Sequence, residues 1–133
     1  MHSERFKSQA IALPREVAPL RTAVWRHALE LGANDTVGNA IRLAVSEALT
    51  NVVMHAYAGR QPGKMLVEAW VDGTDHFNVR ILDEGHGLIP RTDSPGLGLG
   101  IGLMAQMADD FRVANREGTR GTDVSLRFLL RGQ

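Results

Sequence analysis

The sequence predicts an α+β two-layer sandwich, in which helices cover one face of a mostly antiparallel sheet. Two stretches with helical periodicity follow a short first strand. Two alternating apolar segments then flank a four-residue turn at 72–75, a pattern that is typical of a β-hairpin. Two further strand-like segments flank a second turn near the C-terminus. Because hairpins connect the strands, the helices are expected to lie on a single face.

Length and composition indicate one soluble domain spanning residues 1–133. Of the 133 residues, 44% are hydrophobic and 23% are charged, which permits a packed core. Fifteen Lys and Arg balance fifteen Asp and Glu, which argues against a nucleic-acid-binding protein. The absence of Cys excludes disulfide scaffolds, zinc ribbons and thiol catalysis. With no secretory signal and no run near the roughly 20 apolar residues of a membrane span, we expect a cytoplasmic protein.

The N-terminal part is expected to form a strand followed by a helix. Residues 5–13 suit a first strand, with Ile11 and Leu13 entering the core. Pro14 fits the first turn of a helix, and Gly32 supplies its end.

A second, longer helix is predicted to begin after a cap at Asn34 or Asp35 and to reach about Tyr57. Its apolar residues recur at helical spacing, and the expected buried stripe is Ile41, Val45, Ala48 and Val52. The elements predicted after it are strands at 64–72 and 76–83, a helix at about 100–108, and strands at 110–115 and 122–130.

One polar ridge on the second helix is a first chemical signal. Glu47, Asn51 and His55 are spaced i, i+4, i+8, so an α-helix places them on one face beside the buried stripe. A carboxylate and an amide among Ala, Leu, Val and Met are unusual for a purely solvated surface. Taken alone, however, an ordinary exposed polar face is the better explanation.

A second signal follows the strand predicted at 76–83. Asp83 ends this apolar strand, and Gly85 and Gly87 come shortly after it. Two glycines let the backbone approach a flat ligand, while Asp83 can accept a hydrogen bond from an exocyclic amine. By itself this pattern is weak, because it also fits a simple Asp-Gly turn.

Glycines also precede the third predicted helix. Residues 96–103 alternate Gly with Leu and Ile and continue directly into the helix, whose free N–H groups and dipole favour an anion. A flexible loop is the plain alternative, although alternating apolar residues are odd in a merely solvated loop. Gly121 and Thr122, at the start of the last strand, are a fourth signal.

Two other nucleotide-binding motifs fail on their details. Residues 59–65 resemble a Walker loop, but they have one residue too few between the glycines and no Ser or Thr after Lys64. Residues 100–105 match a dinucleotide-binding pattern, but no strand precedes them and no parallel βαβ unit surrounds them.

In this order, the four signals resemble the nucleotide site of the GHKL ATPases, a superfamily that includes gyrase B, Hsp90, MutL and histidine kinases. Within it, Ser46–Asn51 (SEALTN) followed by His55–Tyr57 (HAY) resembles the anti-sigma-factor serine kinases of the bacterial RsbW and SpoIIAB type. The similarity covers nearly the whole chain. The four motifs are specific together, although each one alone is not.

The resemblance implies a role for each matching residue, with ATP and Mg²⁺ as cofactors. Glu47 is expected to act as the general base and Asn51 to bind Mg²⁺. Asp83 is expected to hold the adenine amino group. The roles of His55 and Tyr57 are left open between function and structure. The other nucleotide-binding residues that the resemblance implies are Gly85, Gly87, Gly98, Gly100, Gly102 and Thr122.

The resemblance also implies partners. A sigma factor and a STAS-type antagonist protein are expected to compete for this chain, which would phosphorylate a Ser or Thr of the antagonist. Arg21, expected on the first helix away from the Glu47 ridge, is either a contact with these partners or an ordinary solvated charge. A homodimer is expected, without direct contact with nucleic acid or membrane.

Two alternatives to the kinase remain. A catalytically silent binding module would sequester its partner in equal amounts, although pure sequestration needs neither Glu47 nor Asn51. A detached catalytic domain of a histidine kinase is less favoured, because no additional helical hairpin offers a phospho-accepting His and a strand precedes the first helix.

Overall fold

A five-stranded sheet forms one layer of the molecule. The computed structural model describes residues 5–87 and 101–130. The strands follow the order β1-β2-β3-β5-β4, and every neighbouring pair is antiparallel, which confirms the predicted α+β class. The strands are β1 (Phe6–Ile11), β2 (Lys64–Val71), β3 (His76–Asp83), β4 (Asp110–Asn115) and β5 (Thr122–Leu129).

The first helix begins and ends at the residues that the sequence indicates. α1 (Pro14–Glu30) has Pro14 in its first turn, where a missing N–H costs nothing. Gly32 follows the helix with a φ of +109°, a conformation that glycine adopts without strain. Within residues 5–87 and 101–130, no helix is both long enough and apolar enough to cross a bilayer.

The N-terminus of the second helix is capped by the side chain of the residue before it. α2 (Asp35–Asn51) begins where the Asn34 side chain accepts a hydrogen bond from the Val37 N–H at 2.8 Å, so Asn34 is the cap. A short third helix, α3 (Ile101–Met107), packs against α2 and leads into β4.

The core lies between the helices and one face of the sheet. Burial alternates with a period of two along β5 and most of β2, as expected for strands that have a core on one side. The stripe predicted on the second helix is buried at all four positions, the last of which, Val52, follows α2 directly. The sheet contributes the buried side chains Met65, Val67, Phe77, Val79, Leu126 and Phe128.

Paired charges cover the opposite face of the sheet. Arg80 lies 3.8 Å from Glu68 on β2 and 2.7 Å from Asp123 on β5. Arg127 forms a second pair of 2.7 Å with Asp72. This polar network makes the face suited to contact with solvent.

The side chains of β1 that face the core are not the ones that the sequence predicts. The sequence analysis assigns Ile11 to the core, but Ile11 is 46% exposed, so this prediction is wrong. The core-facing residues include Phe6 and Ala10, which pair with the buried Ala69 and Met65 of β2. A shift of one residue moves every side chain of a strand to the other face, so the register with β2 decides which residues are buried.

The second helix changes its geometry at the C-terminal end. The α-helix ends at Asn51, and a π-helix (Val52–Ala56) completes the element that the sequence predicts as helical to about Tyr57. A π-helix forms i→i+5 hydrogen bonds and therefore has wider turns than an α-helix. The polar ridge from Glu47 through Asn51 to His55 therefore crosses from the α-helix into the π-helix.

Candidate functional site

A buried carboxylate lies at the end of β3. Asp83 is 3% exposed, and its Oδ1 accepts hydrogen bonds from the N–H groups of Gly85 at 2.9 Å and Thr122 at 3.2 Å. Within the described residues, its Oδ2 has no hydrogen-bond partner. One oxygen is therefore anchored by the backbone, and the other remains available to an external donor.

The electrostatic environment of this carboxylate is unfavourable for its charge. Burial raises the pKa of Asp83 above its ordinary value, although the N–H groups of Gly85 and Thr122 and the charge of Arg116 act in the other direction. Arg116 also donates a hydrogen bond of 3.1 Å from Nη1 to the Asp83 backbone carbonyl. A ligand that donates a hydrogen bond to Oδ2 would offset part of the cost of burying this group.

Glycine allows two segments to approach the Asp83 turn closely. A Cβ atom on Gly85 would collide with the carbonyl oxygen of Ala56, at the end of the π-helix. A Cβ atom on Gly121 would collide with the carbonyl oxygen of Asp83, and Gly121 also has a φ of +120°. The turn is therefore enclosed by backbone on two sides.

Hydrogen bonds fasten the end of the π-helix to the same turn. The His86 N–H donates to the Ala56 carbonyl at 2.9 Å, and His86 Nε2 donates to the Ala58 carbonyl at 2.7 Å. The Tyr57 hydroxyl accepts from the Glu84 N–H at 2.8 Å. These bonds connect the helical element that carries the polar ridge to the turn that carries the carboxylate.

Glu47 and Asn51 lie one turn apart on α2 and are partly buried. Within the described residues, neither side chain makes a hydrogen bond or ion pair. A carboxylate can accept a proton, and an amide oxygen can coordinate a hard cation such as Mg²⁺. No group of three or more His, Cys, Asp or Glu in residues 5–87 and 101–130 could hold a metal, so Asn51 would need further oxygen ligands from a bound molecule or from water.

Comparison with known proteins assigns this arrangement to a family. Residues 10–128 match the family described as histidine kinase-like ATPase domain. The chain belongs to this family. The predicted resemblance to the GHKL ATPases is thereby confirmed, on a match that includes Glu47, Asn51, Asp83 and Thr122 within its bounds.

Curated relatives of this ATPase domain include bacterial regulators. An anti-sigma F factor of Clostridium beijerinckii is 26% identical over 138 residues, which cover 96% of this chain and 95% of the relative. The serine-protein kinase RsbW of Bacillus subtilis is 31% identical over 147 residues, which cover 99% of this chain and 89% of the relative. These relatives bear out the predicted similarity to the anti-sigma branch of the superfamily.

A solved structure supports the fold of the ATPase domain. The RsbU and RsbW domains of a Mycobacterium tuberculosis protein match it with a TM-score of 0.76 at 20% identity. The match covers 98% of this chain and 34% of that longer chain. At this identity the likeness concerns the architecture alone.

The other predicted nucleotide-binding residues of the ATPase domain differ in their surroundings. Gly87 has a φ of +80°, which glycine adopts without strain, and Thr122 touches the site through its N–H. Gly102 lies in α3, is exposed and has open space where a Cβ would be. The predicted positions Gly98 and Gly100 lie outside the described residues.

Arg21 lies nearer to the polar ridge than the sequence analysis expects. Its Nη1 is 3.5 Å from Oγ of Ser46, the residue before Glu47, so it bridges α1 and α2. Its Nε is buried and makes no hydrogen bond within residues 5–87 and 101–130. Arg21 is therefore a partly buried cation beside the ridge rather than a fully solvated charge.

Sequence reasoning misses one group that holds the site and leaves another undecided. Arg116 is 33 residues from Asp83 in the chain, and no local pattern indicates that the two meet. Tyr57 matches the family pattern, and the structure shows that its hydroxyl accepts a hydrogen bond from the Glu84 N–H. Its position directly after a helix and ahead of Gly59 is the one sequence signal that could have suggested a contact with the next strands.

Proposed function

We propose that this protein binds ATP with Mg²⁺ and transfers phosphate to a Ser or Thr of an antagonist protein, and that it sequesters a sigma factor. The observation that carries the proposal is the buried Asp83 carboxylate, which has one oxygen left unpaired among the described residues. Glu47 and Asn51 on α2 likewise make no side-chain hydrogen bond or ion pair with those residues. The match to a family of ATPases and the names of its relatives support the same function.

The turn that begins at Asp83 (residues 83–87) is the half of the site that would bind the adenine base. Its free Oδ2 can accept a hydrogen bond from the exocyclic amine of adenine, whereas guanine offers a carbonyl oxygen at that position. Gly85, Gly87 and Thr122 would let the flat ring lie against backbone. Gly98, Gly100 and Gly102 would belong to the part of the site that encloses the phosphates.

Glu47 and Asn51 on α2 form the half of the site that would serve phosphoryl transfer. When bound, ATP with Mg²⁺ supplies the phosphoryl group and the positive charge that neutralises the phosphates. The Asn51 amide oxygen would anchor the metal ion, and the Glu47 carboxylate would accept the proton of the attacking hydroxyl. Neither side chain has to break a hydrogen bond within the described residues to do so.

The relatives' names support the choice of partners. One relative is called an anti-sigma F factor and another a serine-protein kinase, so a sigma factor and a phosphorylatable antagonist are the partners we propose. We propose that the two compete for a surface that includes Arg21, and that the protein is a cytoplasmic homodimer. The antagonist is proposed to be of the STAS type.

Substitution of Glu47 tests the enzymatic part of this proposal. Glu47→Gln keeps the size of the side chain but removes the base, so phosphate transfer should fall by roughly 10²- to 10⁴-fold, whereas ATP affinity should be retained. Asn51→Ala should impair Mg²⁺-dependent ATP binding and transfer together, because the metal loses its protein anchor. The measurement is incorporation of labelled phosphate into the antagonist protein, alongside ATP affinity.

The same assay separates the kinase from a silent binding module. A wild-type protein that binds ATP and its partner but never phosphorylates the antagonist would establish the binding module. Full transfer by Glu47→Gln would keep the kinase but remove Glu47 as its base.

Substitution of Arg21 tests the partner surface. Arg21→Ala should weaken binding of the sigma factor or antagonist by about fivefold or more, the scale of an Arg that contributes to an interface. Arg26→Ala, which removes an exposed Arg from the same helix, is the matched control and should have little effect. Because Arg21 contacts Ser46, ATP affinity must be measured for both variants. If Arg21→Ala binds its partners no more weakly than Arg26→Ala does, Arg21 is not part of the partner surface.

A further inference from the structure

The hydroxyl group of Tyr57 joins three segments of the candidate site. It donates a hydrogen bond to the Lys64 carbonyl at the start of β2 and accepts one of 2.8 Å from the Glu84 N–H. Tyr57 itself follows the π-helix and is 5% exposed. Glu84 directly follows Asp83, so this hydroxyl holds the backbone one residue away from the carboxylate that would contact the base.

The ring of Tyr57 is fixed in its place. A Cβ atom on Gly63 would lie 2.5 Å from Cε1 of the ring, so the backbone of Gly63 lies directly against it. The Arg60 guanidinium lies 5.5 Å from the ring centroid, and its Nη2 donates to the Glu84 carbonyl at 3.3 Å. A ring that is enclosed in this way cannot move its hydroxyl to follow a displaced turn, so it imposes a position on the Glu84 N–H.

We propose that Tyr57 is a positioning residue that gives the site its preference for adenine over guanine, by holding the Asp83 turn through the Glu84 N–H. This inference rests on the proposed function, because it assumes that Asp83 receives the base. Tyr57 acts through the backbone of Glu84 and is not proposed to contact the nucleotide.

The reason lies in how a hydrogen-bond acceptor discriminates between bases. A carboxylate that is held in place cannot avoid the carbonyl oxygen of guanine, so both acceptors remain unpaired. A carboxylate on a mobile turn can move aside and admit water between the two oxygens. Loss of the Tyr57 hydroxyl should therefore weaken ATP binding, because the carboxylate is no longer held where the adenine amine needs an acceptor. GTP, which makes no hydrogen bond to Asp83 in either case, should bind almost as poorly as before.

Tyr57→Phe tests this inference, because it keeps the ring and removes only the hydroxyl. We expect the dissociation constant for ATP to rise about fivefold and that for GTP to change less than about twofold, so the preference for ATP narrows by a similar factor. Thr74→Val is the matched control, because it removes a hydroxyl that accepts from Arg127 and donates to Asp72 at the opposite end of β3. It should lower the melting temperature but leave the ratio of the ATP and GTP dissociation constants as in the wild type.

The outcomes separate this inference from the proposed function. A Tyr57→Phe variant that is less stable but keeps the wild-type ratio of ATP to GTP affinity would show a purely structural tyrosine and overturn the inference. A wild-type protein without any preference for ATP would overturn the assignment of Asp83, and the inference with it, whatever Tyr57→Phe does.

A second measurement does not depend on the folding of a variant. Tyr57 is the only Tyr in the chain, so biosynthetic incorporation of 3-fluorotyrosine gives a single ¹⁹F resonance. We expect ATP with Mg²⁺ to shift this resonance more than GTP does, because only adenine would engage the turn that the hydroxyl holds. A resonance that saturating ATP leaves unchanged would contradict the inference.

Discussion

Two aspartates near opposite ends of β3, Asp72 in the turn before the strand and Asp83 at its last residue, differ in how fully the protein uses their oxygens. Asp72 uses both: Oδ1 accepts from the Thr74 hydroxyl and N–H at 2.6 and 2.9 Å, and Oδ2 accepts from Asn78 at 3.1 Å and Arg127 at 2.7 Å. Asp83 is the more deeply buried of the two but uses only Oδ1 within the described residues.

The pKa values of the two carboxyl groups move in opposite directions. Burial acts to raise the pKa of Asp72, but the hydrogen bonds from Thr74, Arg127 and Asn78 outweigh it and hold the pKa far below its ordinary value. Burial raises the pKa of Asp83, and its two backbone donors and Arg116 do not compensate for it.

The difference distinguishes a structural carboxylate from a binding one. A carboxylate whose hydrogen-bonding capacity is saturated stabilises the fold and has nothing to offer a ligand. A buried carboxylate with one oxygen that the fold does not engage can gain a partner when a suitable donor binds. On this criterion Asp72 is part of the scaffold, and Asp83 is part of the site.

Alanine at Asp83 should mainly reduce ATP affinity, whereas alanine at Asp72 should mainly reduce stability. These are the largest effects that we expect. Asp83→Ala should weaken ATP binding by about 10- to 150-fold, the range for a hydrogen bond to a charged group. It should cost less stability than Asp72→Ala, because removal of an unfavourably buried charge offsets the lost acceptor of the Gly85 and Thr122 N–H groups. Asp72→Ala should destabilise the fold by about 1–3 kcal/mol, because Arg127 and Asn78 lose their acceptor, and should leave ATP affinity unchanged. Calorimetric titration and thermal unfolding of both variants measure the two effects.

The comparison between Asp72 and Asp83 fails if the two substitutions do not affect stability and ATP affinity separately. Loss of ATP affinity in Asp72→Ala, or a large loss of stability in Asp83→Ala with normal ATP affinity, would show that hydrogen-bond saturation does not distinguish site from scaffold here.

Two glycines sharpen the same comparison with a smaller expected effect. Gly85 beside Asp83 is crowded by the Ala56 carbonyl, whereas Gly73 beside Asp72 has open space, and neither has a positive φ. Gly85→Ala should displace the turn, lower stability by about 1–3 kcal/mol and weaken ATP binding about tenfold. Gly73→Ala is the matched control and should stay within about 0.5 kcal/mol of the wild type with normal ATP affinity. Tolerance of Ala at position 85 would mean that the site does not depend on this close approach.

The pH dependence of stability provides the subtlest test. Because the folded-state pKa of Asp72 is lowered below 3.8, its contribution is present above pH 3.8 and is lost as the pH falls through the folded-state pKa. Because the folded-state pKa of Asp83 is raised, its contribution is complete below pH 3.8 and is lost as the pH rises through the folded-state pKa. Relative to wild type, the stability of Asp72→Ala should therefore be lowest at neutral pH. The stability of Asp83→Ala relative to wild type should increase as the pH rises.

Urea unfolding at intervals between about pH 3 and pH 7 measures these differences in the free energy of unfolding. The two difference curves, each variant minus wild type, should have slopes of opposite sign. Curves that run parallel would contradict the assignment of opposite pKa shifts to the two aspartates.

Local signals explain which parts of this fold could be predicted. Pro14, Asn34 and Gly32 determine helix ends through contacts within a few residues, so the sequence alone indicates them. The orientation of β1 depends on its pairing with β2, more than fifty residues later, so the sequence alone places Ile11 on the wrong face.

The candidate site shows the same division. The positions of Glu47, Asn51 and Asp83 follow from motifs with short spacing, and the structure places all three as the motifs require of a helix and a strand end. The π-helix and the contact of Arg116 with Asp83 have no local signal, because both depend on how segments distant in sequence meet.

The direct test of the central claim is a calorimetric titration of the wild-type protein with ATP and with GTP, each with Mg²⁺. If the free oxygen of Asp83 receives the exocyclic amine of adenine, ATP should bind about 5- to 150-fold more tightly than GTP, since guanine would leave two buried acceptors unpaired. Equal affinity for the two nucleotides, or no binding of ATP at all, would contradict the account.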